Sequence, residues 1–284
     1  MSTQKHRIKD PVKARRSVES IYAEAIISKA CSWKIEFLSG GCGSFSVPEL
    51  VEITKNVCKI TKQKQWLNIG TLSKQEIKQF LPYIQGVCGT VECINKKIRN
   101  EVCPSKPLKP IIRMLKACDE LGLKKTITII IGLGETEKDI PDLINFIRKY
   151  KLDKITFYAL NPHEGTVFTK GPETSYYVKW IKAVRKEFPK IEIVAGSWVN
   201  RVKEIHELLE AGADSITKFP SIKLFNSRFA QQIEKEIKTA GRTFKGTLTK
   251  LPNIDWNKEV DKYNLTNKKI IKNKIKQYIK QMSR

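Results

Sequence analysis

The sequence predicts an α/β fold in which parallel strands form a barrel with helices around it. Seven apolar runs alternate along the chain with stretches of helical period. The runs are apolar at most positions, as expected of parallel strands that are covered on both faces. The length of 284 residues suits one barrel of about 250 residues. We therefore expect a TIM-type (βα)8 barrel over residues 1–250 and a basic helical extension over residues 251–284.

Each strand is predicted by an apolar run, rich in Ile and Val, that ends at turn residues. In chain order the runs are KIEFLSGG (34–41), QWLNIG (65–70), GVCGTVE (86–92), TITIIIGLG (126–134), KITFYALNP (154–162), KIEIVAGSW (190–198) and ADSITKF (213–219).

Each helix is predicted by apolar residues that recur three and four positions apart. The stretches are RRSVESIYAEAI, VPELVEITKNVCKIT, SKQEIKQFLPYI, PLKPIIRMLKACDELG, TEKDIPDLINFIRKY, SYYVKWIKAVRKEF and NRVKEIHELLEAG, with the basic NKKIIKNKIKQYIKQMSR at the end. Ser73 and Pro48 are typical of helix starts, and Gly122 and Gly212 of helix ends.

The first predicted strand is preceded by a helix and by no other strand. A closed barrel needs an eighth strand, because seven leave two edges unpaired. We therefore expect one strand and its loop to lie before Met1. The alternative is a naturally incomplete barrel, or one whose gap is filled by the last helix.

The net charge of +24 allows two interpretations. One is an acidic partner, either nucleic acid or an acidic carrier protein. The alternative is a lysine-coated surface from a Lys- and Ile-rich, thermophilic proteome, since the lysines are spread along the chain. No apolar run is long enough for a membrane span, and no signal peptide is visible. We expect a cytoplasmic protein whose seven cysteines are thiols or metal ligands.

Glycine-containing loops follow several predicted strands, where a barrel carries its functional residues. Glycines there let backbone amides approach a nucleotide-like ligand. NIGTLS, a strand that ends in Glu92, and ELGLKKTITIIIGLGETEKDI followed by ALNP resemble the radical S-adenosylmethionine (SAM) superfamily, in the branch that includes biotin synthase. The resemblance covers about Ile21 to Phe225.

The resemblance implies a SAM site at the strand ends. Gly40 and Gly41 would receive the amino end of SAM. Thr90 and Glu92, two apart on one strand, would hold the ribose hydroxyls. The adenine would lie over a set formed by Gly132, Gly134, Ala159, Leu160 and Asn161.

The resemblance also implies a [4Fe–4S] cluster held by Cys-x3-Cys-x2-Cys, which cleaves SAM to a 5′-deoxyadenosyl radical. The cysteines are Cys31, Cys42, Cys58, Cys88, Cys93, Cys103 and Cys118, and no three have this spacing. In the superfamily the triplet comes just before a helix like RRSVESIYAEAI. We therefore expect Met1 to be an internal methionine, or the reading frame to be interrupted upstream. The full-length protein would be an enzyme, and the 284-residue chain alone would be inactive.

Biotin synthase itself is not expected, because it holds a second iron–sulfur cluster on barrel cysteines. The corresponding positions here are Trp66, Thr126 and the neighbourhood of Phe37 and Leu38. The stretches CPSKPL, ITFYALNPHEGT, AGSWVNRV, ITKFPSIKLF and GRTFKGTLT resemble biotin-synthase-related archaeal proteins that include one component of a two-protein lipoyl synthase.

That closer resemblance implies sulfur insertion into an octanoyl chain carried on a lysine of an acidic carrier protein, with a second radical SAM subunit as partner. Cys42, Cys88, Cys93 and Cys103 are candidate ligands of an auxiliary cluster that would supply sulfur. The alternative is that they are small buried residues.

Three function classes stay open. The retention of Gly40, Gly41, Glu92, Gly132 and Gly134 favours a radical SAM enzyme. The second class is a non-catalytic barrel that lacks the cluster and serves as a partner subunit. The third is a basic RNA-binding barrel, against which no stacking-aromatic module is visible.

The expected position of the cysteine triplet can be tested on the source DNA. Translation upstream of the Met1 codon, in frame, is expected to give Cys-x3-Cys-x2-Cys preceded by an apolar strand. A stop codon followed by a ribosome-binding site at that place would make Met1 the true start.

Overall fold

Seven parallel strands form one sheet in the computed structural model, which describes residues 15–40 and 43–283. Each strand pairs with the next one along the chain, so the order is β1 to β7 without a crossover. All seven predicted strands are present. Their bounds are β1 Leu38–Ser39, β2 Gln65–Asn68, β3 Ile84–Glu92, β4 Lys124–Ile131, β5 Lys154–Ala159, β6 Glu192–Gly196 and β7 Ser215–Thr217.

The helices lie between the strands and after the last one. Their bounds are α1 Val18–Ala30, α2 Val47–Thr61, α3 Lys74–Phe80, α4 Lys96–Val102, α5 Leu108–Glu120, α6 Ile140–Tyr150, α7 Thr174–Glu187, α8 Ile205–Glu210, α9 Arg228–Thr239, α10 Trp256–Asp261 and α11 Lys268–Met282. Short 3₁₀ turns span Leu81–Tyr83, Glu137–Asp139 and Val199–Glu204.

Local sequence explains how several helices begin. Ser46 and Ser73 each cap a helix. In both helices the side chain of a glutamate three residues later accepts a hydrogen bond from the backbone amide of the capping serine. Each capping box satisfies amides that would otherwise lack an acceptor in the first turn. α2 also has Pro48 in its first turn, where the missing amide costs nothing.

The two faces of the sheet differ in character. The outward residues of β4 to β6 pack against the surrounding helices in the largest apolar cluster, which includes Ile127, Ile129, Ile155, Phe157 and Ile193. The alternate residues of the same strands face the inside of the curved sheet. The core of the protein therefore lies between sheet and helices, and the inside of the sheet is left for other side chains.

The described residues do not form a closed (βα)8 barrel. β1 and β7 do not pair, so the fold is an incomplete, barrel-like parallel sheet. The first strand is also shorter than the predicted 34–41, because only two residues pair with β2. Between the two edge strands, Glu36 accepts a hydrogen bond from Thr217, and the Trp33 indole donates to the Thr247 carbonyl at 2.7 Å. Side chains and loops thus bridge the gap.

The predicted extension over 251–284 contains α10 and α11. Both pack with α1 in a second apolar cluster, in which Ile271 and Ile275 of α11 lie with Ile26 and Ile27 of α1. The apolar face of this basic helix is therefore buried against the first helix. Within the described part of the chain, no helix combines the length and the apolar composition that crossing a bilayer requires.

Gly86 on β3 provides a test of how tightly the sheet is packed near its amino-terminal end. A Cβ there would lie 2.3 Å from the Lys124 carbonyl oxygen and 2.4 Å from Cζ3 of Trp66. We expect Gly86→Ala to lower the free energy of unfolding by about 3 kcal/mol, because neither neighbour can move away freely. Urea denaturation of the variant and the wild type measures this difference in the free energy of unfolding.

The control is Gly241→Ala, where no atom lies within 4 Å but φ is +65°. Backbone strain alone is expected to cost about 1 kcal/mol there. Equal losses in the two variants would contradict the packing at Gly86.

Candidate functional site

A large cavity opens at the carboxyl ends of the strands. Its volume is about 1120 Å³, which exceeds that of a typical single-ligand pocket. Residues that end or follow several different strands line it, among them Gly40, Asn68, Glu92, Ala159 and Lys218. The cavity therefore lies where a parallel barrel carries its functional groups.

Most of the residues expected at the SAM site meet in this cavity. Its lining includes Gly40, Thr90, Glu92, Ala159, Leu160 and Asn161. Gly132 and Gly134 do not line it, but Leu133 between them does. Gly41 lies outside the described residues.

Glu92 is placed in the cavity by an irregularity of β3. One extra residue is inserted between Gly89 and Glu92 relative to β4, and Glu92 itself has φ +65°. Such bulges re-aim side chains next to functional sites. A left-handed conformation costs a residue other than glycine about 1 to 2 kcal/mol, so the rest of the structure must hold Glu92 in place.

Lys106 pairs with Glu92 at a distance of 2.5 Å between Nζ and Oε1. The loop that carries Lys106 is held by Arg99, whose guanidinium donates to the carbonyls of Lys106 and Val91. Burial lowers the pKa of Arg99, although nearby anionic groups counteract this effect. The second oxygen of Glu92, Oε2, has no hydrogen-bond donor among the described residues and is not one of the fully buried polar atoms that lack a partner.

The GLGE segment after β4 is a turn built around the side chain of Glu135. Its two carboxylate oxygens accept from the amides of Gly132 at 2.6 Å and Leu133 at 2.8 Å. Burial raises the pKa of Glu135 even though these amides favour the charged form. Gly132 and Gly134 have φ values of +106° and +113°, which other residues rarely adopt. The two glycines thus allow the turn that directs Leu133 to the cavity.

The wall across from Glu92 carries a second set of polar groups. Glu36 accepts a hydrogen bond from the Tyr158 hydroxyl at 3.1 Å and another from Thr217. Burial, reinforced by the charge of Glu36, raises the pKa of Tyr158. The Lys218 ammonium lies 4.2 Å from the centre of the Tyr158 ring. Gly196 makes room for this arrangement, because a Cβ there would lie 2.4 Å from Tyr158.

Below the cavity the inside of the sheet is polar. We define the barrel floor as the inward side chains of three adjacent strands: Cys88, Thr126, Thr128, Lys154 and Thr156. Thr128 also lines the cavity. The hydroxyls of Thr128 and Thr156 are buried and have no hydrogen-bond partner in the described structure.

Lys154 is the charged member of the barrel floor. It is only 1% exposed, and its ammonium lies 4.3 Å from the ring centres of both Phe37 and Trp66. Burial lowers its pKa to about 8, against the attraction of Glu192 and Glu36. Trp66, Thr126 and Phe37 are positions where the resemblance to biotin synthase would place cluster ligands. Here the rings of Phe37 and Trp66 stack on the Lys154 ammonium. Thr126 is the residue of β4 that pairs with Lys154 of β5.

The expected auxiliary cluster does not assemble from the described cysteines. Cys103 lines the cavity, whereas Cys88 and Cys93 are buried. Burial raises the pKa of all three thiols. No group of three or more His, Cys, Asp or Glu within residues 15–40 and 43–283 could hold a metal ion. Cys42 lies outside those residues. Burial of small side chains, the alternative interpretation, fits Cys88 and Cys93.

Lys106, Glu135, Lys154, Glu36 and Lys218 were not expected from the sequence as site residues. A signal for the barrel floor was present, because alternate residues are polar in GTVE, KTIT and KITFY. In a sheet covered on both faces, such alternation predicts a polar interior. The contacts of Lys106, Glu36 and Lys218 join distant segments and have no comparable signal.

Comparisons with known proteins agree with this geometry. Residues 4–147 match the model of the radical SAM superfamily. Uncharacterized protein MJ0597 of Methanocaldococcus jannaschii is 44% identical over 264 residues, which cover 92% of this chain and 73% of that protein. Biotin synthase of Methanococcus vannielii is 27% identical over 118 residues, 42% of this chain and 36% of that enzyme.

One solved structure shows the same fold. Methylornithine synthase superposes with a TM-score of 0.63 at 16% identity, over 72% of this chain and 62% of its own. The chain thus spans less than two thirds of that enzyme and about a third of the biotin synthase.

The burial of Lys154 predicts a specific dependence of stability on pH. The ordinary lysine pKa of 10.5 is lowered to about 8 in the folded protein, so between these values the unfolded chain binds more protons. Stability therefore rises with pH over that window, and the full penalty applies below pH 8. At pH 7 we expect Lys154→Met to be more stable than the wild type by up to about 3 kcal/mol.

The difference in the free energy of unfolding between Lys154→Met and the wild type is expected to decrease from pH 8 to pH 10.5, as measured by urea denaturation. All other titrating groups are shared, so the difference isolates Lys154. A difference in unfolding free energy that stays constant over this range would contradict the lowered pKa of Lys154.

Proposed function

Because the chain belongs to the radical SAM superfamily, we propose that it binds SAM at the Glu92 side of the cavity and holds a substrate beside it. The observation that carries the proposal is the carboxylate of Glu92, which lines the cavity and is paired through only one of its two oxygens among the described residues. The other oxygen is free to accept hydrogen bonds from a ligand in the cavity, and a charged carboxylate is a strong acceptor. Two ribose hydroxyls are suitable donors.

The residues present fit the nucleoside part of SAM. Thr90 and Glu92 would hold the ribose, while Leu133, Leu160 and Asn161 offer an apolar surface and amide groups for the purine. Lys106, which also lines the cavity, would hold the Glu92 side chain in position through their ion pair. The cavity volume leaves room for a substrate next to SAM. Bound SAM, once reductively cleaved, supplies a carbon radical that removes a hydrogen atom from an unactivated C–H bond.

The [4Fe–4S] cluster of the superfamily does not fit the residues present. The sequence contains no Cys-x3-Cys-x2-Cys, and the described residues offer no other group of three suitable ligands. No step is assigned to that cluster on this chain. What the chain supplies is the enclosure: Phe37, Tyr158 and Trp198 line the cavity with aromatic surface that keeps water from a reactive intermediate.

The finer proposal is sulfur insertion of the lipoyl type, supported by the resemblance of CPSKPL and ITFYALNPHEGT. For each C–S bond formed, the C–H hydrogen atom leaves to the radical. A sulfide-bearing iron–sulfur cluster on a second subunit would supply the sulfur and accept the one electron released for each C–S bond. A net charge of +24 suits an acidic carrier protein for the octanoyl chain. Incubation of both subunits with octanoylated carrier and SAM, followed by mass measurement of the carrier, tests it.

The nucleoside site is tested by calorimetric titration of the chain with 5′-methylthioadenosine, which lacks the amino-acid end of SAM. Glu92→Gln is expected to weaken binding about tenfold or more, because a neutral amide oxygen accepts ribose hydrogen bonds less strongly than a carboxylate.

The matched control is Glu120→Gln, which removes a carboxylate paired with Lys74 on the surface. It is expected to bind like the wild type. If no adenosine compound binds the wild type, or if Glu92→Gln binds equally well, the proposed SAM site is wrong.

A further inference from the structure

The interior of this sheet departs from the usual composition of a barrel. Barrel interiors are filled mainly by Val, Ile and Leu. Here the inward positions at the barrel floor carry a thiol, three threonine hydroxyls and an ammonium group. A polar interior of this kind is costly unless each group has a partner.

The floor has more donors than acceptors. The Lys154 ammonium carries three protons, and the one hydrogen bond it makes among the described residues is at 3.5 Å to the Glu36 carbonyl. Two aromatic faces stabilise the charge but accept no conventional hydrogen bond. The unpartnered hydroxyls of Thr128 and Thr156 lie on the paired neighbouring positions of β4 and β5. Together these groups could donate hydrogen bonds to a ligand that carries several acceptor oxygens.

We propose that the barrel floor binds the carboxylate end of the substrate, with Lys154 as its anchor and Thr128 and Thr156 as further donors. The substrate is then a free organic acid, in place of the carrier-bound octanoyl chain of the lipoyl-type proposal. This inference rests on the proposed function, because it takes the cavity above the floor as the place where the substrate is held.

The route from the cavity to Lys154 is short. Thr128 and Phe37 both line the cavity, and the Phe37 ring also contacts the ammonium. Phe37 therefore borders both the cavity and the ammonium, and it lies outside regular secondary structure in the segment before β1. We expect a carboxylate that passes Thr128 to reach Lys154 by displacing this ring.

The same polarity disfavours a carrier-bound octanoyl chain in this orientation. Such a chain enters from the cavity mouth with its methyl end first. The methyl end would then lie against an ammonium and two unpaired hydroxyls, which would all stay unsatisfied. A carboxylate instead satisfies all three.

The proposal is tested by calorimetric titration of the 284-residue chain with hexanoate, with hexan-1-ol as the uncharged probe. At pH 7 we expect hexanoate to bind and hexan-1-ol to bind at least tenfold more weakly. Lys154→Met is expected to weaken hexanoate binding by about tenfold or more. The matched control is Lys149→Met, which removes a lysine stacked on an aromatic ring, Tyr150, outside the cavity. It is expected to leave the affinity within about twofold of the wild type.

A pH series on the wild type tests the same point without any variant. The groups that act on Lys154 are Glu192, Glu36, Cys88 and Lys34. With a pKa of about 8, the ammonium loses its proton over the tested range. Hexanoate affinity is therefore expected to fall about tenfold from pH 7 to pH 9.

The two proposals fail in different ways. We expect Glu92→Gln to lose 5′-methylthioadenosine binding and to bind hexanoate like the wild type. This outcome would show that the nucleoside site and the barrel floor bind their ligands independently. If hexanoate binds no better than hexan-1-ol, or if Lys154→Met and the pH series leave its affinity unchanged, the floor holds ordered water only and the inference is overturned. That result would leave the SAM site untouched.

Discussion

The parallel ladder from β1 to β7 determines where each functional side chain lies. Residues alternate between the two faces of a strand. Every second residue of β4, β5 and β6 therefore packs into the helix-covered core, and the residues between them face the interior of the curved sheet. The apolar core is thereby complete without the inward residues. Those residues are free to be threonine, cysteine or lysine, which would not be tolerated in the layer between sheet and helices.

The SAM side of the cavity depends on two local irregularities that the ladder holds in place. A bulge and a left-handed residue turn Glu92 inward, and Arg99 and Lys106 fix the loop that faces it. The GLGE turn is held by the carboxylate of Glu135 on two backbone amides. In both places the charged side chains shape the site, and only Glu92 is left with an oxygen to offer a ligand.

The barrel floor costs stability, and this cost is informative. A lysine ammonium held between Phe37 and Trp66 away from water is worth less to folding than a leucine of similar size would be. Two unpaired threonine hydroxyls add to that cost. Groups that destabilise a fold and border a ligand cavity are characteristic of functional sites, where stability is given up for binding or catalysis.

The sequence by itself determined the seven strands, their parallel arrangement and the set of loops that meet at one end. These follow from local periodicity and from the chirality of strand–helix–strand units, which need no knowledge of distant contacts. The resemblance to the radical SAM superfamily implied that Thr90, Glu92 and the stretch 159–161 meet at these strand ends, and all of them line the cavity.

Only the tertiary structure decided how the barrel ends are bridged and which charges meet. The first strand shortened to Leu38–Ser39, and Glu36 turned to Tyr158 and Thr217, more than 100 residues away. Lys106 reached Glu92 only because a bulge and Arg99 brought them together. The described candidates Cys88, Cys93 and Cys103 did not converge on a metal site. Such pairings depend on register, bulges and long-range packing, and none of these is encoded in the local pattern of residues.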